Sequence, residues 1–151
     1  MLFDLAFAPG RTALSSYKLR DGVSPVGDLC TVIRDDFDVV VGAVRFWPVQ
    51  IGTARAPALL LGPIAVHPTR QGEGLGALLI GQSLDAATSS GWRLVMLVGD
   101  LSYYARFGFK PARPHGIVFP PPVNPDRVLI RELYHGAMKS VLGPVLPWID
   151  P

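Results

Sequence analysis

Apolar residues fall in short blocks along this chain, and the spacing inside each block separates strand from helix. Residues 29–33 are rich in β-branched types and predict a strand. Asp35, Asp36 and Asp38 then form an acidic turn, and residues 39–47 predict a second strand that closes a hairpin. Residues 59–67 are apolar on both faces, the pattern of a central strand. Gly62 and Pro63 interrupt it. Proline cannot donate to a ladder, so the pair predicts a bulge or a place where strands part. The glycine-rich turn 71–76 opens a helix through about Thr88, with Ala77, Ile80, Leu84 and Ala87 at helical spacing and Gly91 placed to stop it. Residues 93–98 make the fourth strand. Strand, helix, strand implies parallel pairing and a right-handed crossover.

Asp100 reads as the cap of a short helix over 101–107 that Gly108 ends. With Gly108 at C′, Tyr104 and Phe109 are the pair that touch in a Schellman ending. Two further strands, about 116–119 and 128–134, are separated by the prolines at 120–122. Past His135 the pattern weakens, which predicts a closing segment over 135–151 laid on the surface. The first 28 residues read as a shortened helical region. The expectation is one α/β (α+β) domain over 1–151, a mixed central sheet with flanking helices.

Composition agrees with a packed domain. In 151 residues, 49% apolar and 17% charged supply a core and argue against disorder. Fourteen basic and 12 acidic residues leave a net charge of +2, and the basic ones form no stripe with interleaved aromatics, which sets nucleic acid aside. Cys30 stands alone, so an internal disulfide and a multi-cysteine metal cluster are excluded, and it reads as a small buried strand residue. No metal site is expected. No apolar run reaches membrane length, and the N-terminus lacks the basic lead of a signal peptide. The compartment expected by exclusion is the cytoplasm.

The best-marked chemistry is the turn Gln71, Gly72, Glu73, Gly74, Leu75, Gly76. Alternating glycines at a strand-to-helix junction free backbone amides to converge on an anion, with the helix dipole behind them and Arg70 at the rim. A nucleotide-triphosphate loop is excluded, because Ala77 and Leu78 stand where Lys and Ser/Thr are needed. A dinucleotide-binding turn is an alternative, since Gly72, Gly74 and Ala77 meet its spacing. Its acidic partner is due about 20 positions on, whereas Asp100 lies 28 beyond Gly72. A third reading puts the pyrophosphate of an acyl carrier on the amides and its arm beside the parted strand at Gly62 and Pro63.

Gln71, Gly74 and Gly76 stand at the defined positions of the Gln/Arg-x-x-Gly-x-Gly/Ala signature. Tyr104, four residues before Gly108-Phe109, resembles the second hallmark of the same family, the GNAT superfamily of N-acetyltransferases. Residues 61–68 and 99–109 look most like its YhbS-like group. The resemblance implies transfer of an acetyl group from acetyl-CoA, the acyl-donor substrate, to a primary amine by direct attack in a ternary complex. It implies that Gln71, Gly72, Glu73, Gly74, Leu75 and Gly76 hold the pyrophosphate and that Ile64, Ala65 and Val66 hydrogen-bond the pantetheine. Tyr104 would be the general acid, and two strands would part in a V around the donor.

The family's first strand is absent from this reading, so the strand near Cys30 becomes a sheet edge, which predicts cover by residues 1–20 or a homodimer. No acid stands in 60–66, where many members carry a glutamate, so the base is left unassigned. A non-catalytic acyl-CoA-binding or sensing module is therefore the alternative of a different class. Tyr103 is assigned to the substrate side or to structure, His67 to a turn, and Glu73 to solvent. Arg45, in an otherwise apolar strand, either faces the cleft toward an acceptor carboxylate or lies along the surface.

Overall fold

The computed structural model describes residues 19–20, 22–66 and 74–150. Strands β1 (Thr31–Arg34) and β2 (Val40–Ile51) form the predicted antiparallel hairpin. Its turn is organised by Asp35, whose Oδ1 accepts from the N–H groups of Phe37 (2.9 Å) and Val39 (3.0 Å). Strand β3 (Ala56–Val66) runs antiparallel to β2. Helix α1 (Leu75–Ser89) crosses to β4 (Leu94–Val98), which pairs parallel with β3 as the strand–helix–strand order requires. α1 stops in a Schellman ending at Gly91 (φ 89°), with Trp92 N–H on Ala87 O and Gly91 N–H on Thr88 O, both 3.1 Å.

Helix α2 (Leu101–Tyr104) continues as a 3₁₀ turn over Ala105–Phe107. The expected Schellman bonds close it at Gly108 (φ 85°): Phe109 N–H to Tyr104 O at 3.4 Å and Gly108 N–H to Ala105 O at 3.0 Å. The Tyr104 and Phe109 rings lie 6.0 Å apart, edge to face. Strands β5 (Lys110–Pro111), β6 (Ile117–Val118), β7 (Val128–Glu132) and β8 (Gly143–Pro147) complete a mixed sheet of order β5-β7-β4-β3-β2-β8-β6, with β1 also on β2. No described strand pairs with the outer side of β1.

Alternation along the strands gives the sheet two apolar faces. Phe46, Leu59, Leu61, Val95, Leu97 and Leu129 pack on Leu79, Ile80, Leu84 and Ala87 of α1. Val49, Ile51, Leu60, Met96 and Ile130 face the other way, against Leu19, Phe119 and Val145. Ala77, expected on the sheet face, is only half-buried. It sits at the head of α1, where the strands beneath have separated. Among the described residues no helix is long and apolar enough to cross a membrane.

Several expectations need correction. The tail is not merely laid on the surface, because β8 pairs antiparallel with β2 through Ile51↔Val145, Gln50↔Leu146 and Val49↔Pro147. The buried Gln50 amide extends that pairing, donating to Ile149 O (3.0 Å) and accepting from Ile149 N–H (3.1 Å). Cys30 is half-buried just ahead of β1 rather than inside a strand, its N–H bonded to Gly27 O. Asp100 occupies the N-cap position of α2, but its carboxylate makes no capping bond and instead lies 3.3 Å from Arg127 Nη2. Of the shortened start over 1–28, residues 1–18 and 21 lie outside the described residues; a 3₁₀ turn over Gly27–Leu29 follows at its end.

Candidate functional site: a fork in the sheet

The break anticipated at Gly62 and Pro63 is a bulge. Val44 pairs with Ile64 and Phe46 with Leu61, so Arg45 alone faces two residues, and Gly62 takes φ 134°, a value that side chains disfavour. β3 and β4 are paired only at Leu59↔Val95 and Leu60↔Met96. Beyond that point β3 follows β2 up to Gly42↔Val66, while β4 follows β7 up to Val98↔Val128. Each arm is held by its outer neighbour. The inner sides diverge into a cleft of about 240 Å³ lined by Ile64, Ala65, Val66, Gly76, Ile80, Tyr103 and Tyr104.

The head of α1 closes one end of this fork. Gly74, the N-cap, lies in the left-handed region (φ 78°), and a Cβ added there would meet nothing within 4 Å among the described residues. The first intrahelical bond is Leu78 N–H to Gly74 O (3.0 Å), which leaves the amides of Leu75, Gly76 and Ala77 without helical partners. The first turn carries no acidic residue to compete for them. Arg70, Gln71, Gly72 and Glu73 of the expected cradle, and the turn residue His67, lie outside the described residues. Ile64, Ala65, Val66 and Gly76 line the cleft, with Gly74 and Leu75 at the adjoining helix start.

Tyr104 enters from the opposite arm. Its ring stands against Gly99, where a Cβ would lie only 2.5 Å from Cε2. Burial pushes the Tyr104 phenol up from its ordinary pKa; Tyr103 and Asp100 add to the shift, and Arg127 partly offsets it. Tyr103, assigned from the sequence to the substrate side or to structure, lines the same cleft. Adjacent helical residues point about 100° apart, yet the two rings meet edge to face at 4.9 Å and both line the opening. Arg45 shares by alternation the β2 face of Trp47 and Val49, away from α1, and is half-buried beside the bulge.

A parted mixed sheet, a glycine-initiated helix at the opening and a tyrosine from the far arm are the features that the GNAT resemblance implies, and the comparisons with known proteins show that family. The family model described as "Acetyltransferase (GNAT) domain" matches residues 27–111, and the chain belongs to that family. It is similar to the "Uncharacterized N-acetyltransferase YhbS" of Escherichia coli (strain K12), being 30% identical over 123 residues that cover 82% of this chain and 72% of the relative. The crystal structure of the GNAT family N-acetyltransferase YhbS from Escherichia coli, in complex with CoA, superposes with a TM-score of 0.80 at 28% identity, covering 97% of this chain and 81% of that one. A GNAT family acetyltransferase from Brucella melitensis, in complex with acetyl-CoA, gives a TM-score of 0.58 at 35% identity, over 72% of each chain.

Proposed function

We propose that this chain transfers the acetyl group of acetyl-CoA to a primary amine, the amine attacking the thioester directly in a ternary complex. The observation that carries this reading is the fork, an apolar-walled opening with helix amides at one end and the Tyr104 side chain in its lining. The residues fit the donor. Among the described residues nothing crowds the Cβ position of Gly74, and at Gly76 an added Cβ would stand in ordinary contact with Tyr103 and Val66 at the opening.

When bound, acetyl-CoA supplies an activated acyl group and a thiolate leaving group. Leu75, Gly76 and Ala77 direct their amides toward the pyrophosphate, joined in this proposal by Arg70, Gln71, Gly72 and Glu73. The stretch Ile64, Ala65, Val66, past the last β3–β4 pair, hydrogen-bonds the pantetheine amides. Ile64 and Ile80 exclude water from the arm. Tyr104 holds a proton at Oη for the sulfur as its bond to the acyl carbon breaks and the amine nitrogen bonds that carbon. Its raised pKa keeps that proton in place at neutral pH. The nitrogen's surplus proton passes to solvent, and solvent returns a proton to the Tyr104 oxygen, so the cycle closes with free CoA as the thiol.

The test is steady-state release of free CoA with a panel of amines. Tyr104→Phe removes one hydroxyl that has no hydrogen-bond partner among the described residues, so folding and CoA affinity should hold while kcat falls by about 10²-fold or more. Tyr103→Phe should lower kcat far less. Equal rates for Tyr104→Phe and the parent protein would remove Tyr104 as the acid. A second reading, a non-catalytic acyl-CoA-binding module, draws on one observation: no carboxylate lines the cleft among the described residues. Tight CoA binding with no turnover across the panel would favour it.

A further inference from the structure

We infer that Tyr103 is a positioning residue for the donor, its hydroxyl giving a hydrogen bond to a phosphate oxygen held at the head of α1. The inference rests on the acetyl-CoA reading above and gives a donor-binding role to a residue that reading left without one. Tyr103 reaches across the fork: it is carried by α2 on the β4 arm, yet its Oη lies 3.6 Å from where a Cβ of Gly76 would stand, with Val66 Cγ2 3.8 Å from the same point. Three separate pieces of the fold thus meet around one position. The Gly76 amide there has no helical partner, and the Tyr103 hydroxyl has none among the described residues. Two donors from opposite arms, both uncommitted among the described residues and both beside the cleft, suit one acceptor between them. A phosphate oxygen is such an acceptor, and a phenol donates to it with a charge-assisted bond.

The ring is held for this task from outside. Arg106 stacks its guanidinium 4.6 Å from the Tyr103 ring centroid and donates from Nε to the Tyr103 carbonyl at 2.9 Å. The Tyr104 ring at 4.9 Å and the Phe107 ring at 5.7 Å back the phenol on other sides. An aromatic ring fixed in this way loses little freedom when a ligand arrives, so its hydrogen bond contributes to affinity rather than to ordering the side chain. The adjacent tyrosines thereby divide the work: Tyr103 holds the phosphate end, and Tyr104 serves the sulfur end.

The experiment measures calorimetric affinities for CoA and for ADP, which keeps a pyrophosphate and lacks the pantetheine arm, with apo melting temperature as control. Tyr103→Phe should weaken both ligands about tenfold, the scale of one hydrogen bond to a charged group. Its apo melting temperature should match the parent, since the hydroxyl has no partner among the described residues to lose. In turnover the variant should show a similar rise in KM for acetyl-CoA at a kcat within about twofold of the parent. Arg106→Ala, which frees the ring without touching the hydroxyl, should weaken both ligands by a smaller factor, about two- to threefold. Unchanged affinity of Tyr103→Phe for both ligands overturns the inference, whatever its melting temperature does. A loss for CoA but not for ADP overturns the phosphate assignment and moves the bond to the pantetheine arm. Failure of the parent protein to bind CoA at all overturns the acetyl-CoA reading and this inference with it.

Discussion

Gly99→Ala isolates the placement of Tyr104 from its chemistry. Gly99 joins β4 to α2 and is pinned by its N–H to Arg127 O at 2.9 Å. Its backbone is not left-handed, so alanine brings no torsional strain and acts only through its methyl group. That methyl would lie 2.5 Å from Tyr104 Cε2, 3.0 Å from Cδ2 and 3.2 Å from Leu97 Cδ1. Carbon atoms rest about 3.5–4.0 Å apart, so the ring must retreat by about 1 Å. Tyr103, Phe107 and Phe109 surround it at centroid distances of 4.9, 6.4 and 6.0 Å, and the Schellman bonds fix the backbone beneath. Overpacking of this kind costs about 1–3 kcal/mol. A proton donor misplaced by about 1 Å costs about 10²-fold in rate. Calorimetric melting and steady-state CoA release measure the two effects, and CoA affinity should change little because the head of α1 is untouched. In a Tyr104→Ala background the stability cost of Gly99→Ala should vanish, since the clashing ring is gone. Unaltered melting and kcat in the single variant, or an undiminished stability cost in the double variant, would refute the steric argument.

Gly81 lies inside α1 with no described atom near its Cβ position and no left-handed φ, so Gly81→Ala should stabilise the protein by about 0.5–1 kcal/mol in denaturant unfolding at unchanged kcat. Gly74→Val places a β-branched residue at φ 78° at the entrance to the cradle; a cost of about 1–2 kcal/mol and loss of most CoA affinity by calorimetry are expected. With its pKa raised in the folded state, Tyr104 stays protonated where an unfolded tyrosine ionises, so folding stability should fall as pH climbs past about 10 and Tyr104→Phe should flatten that fall in pH-dependent melts. For the same reason the alkaline loss of kcat should begin above about pH 10; a loss centred below 9 that Tyr104→Phe abolishes would contradict the burial argument.

The parts of the fold visible in the sequence are those with a local cause. Gly62 and Pro63 announce the bulge because neither suits a regular ladder, and Gly108 with Tyr104 and Phe109 announces a helix ending because Schellman geometry spans a few residues. β8 was not visible. Pro144 and Pro147 give it the pattern of a loop, and its place in the sheet depends on β2 and on the Gln50–Ile149 pairing across 99 residues. β5 is two residues long and carries no periodic signal at all. At the site, Ile64, Ala65, Val66, Gly76 and Tyr104 share the lining of one cleft. Tyr103 escaped because a helical wheel treats α2 as isolated, whereas the fork wraps around its end and admits both rings. Asp100 carries a capping residue's signature, yet Arg127, 27 positions on, engages its carboxylate.

Because the arms of the fork are tied to β2 and β7 rather than to each other, the width of the opening is decoupled from the integrity of the sheet. Only Leu59↔Val95 and Leu60↔Met96 join the two leaves, like the last teeth of a zipper. Side chains at Ile64, Ala65 and Val66 can grow or shrink over evolutionary time while their backbone stays paired with β2. Such drift would resize the opening without dismantling any ladder, so the fit of the cleft can change at little risk to the folding of the sheet.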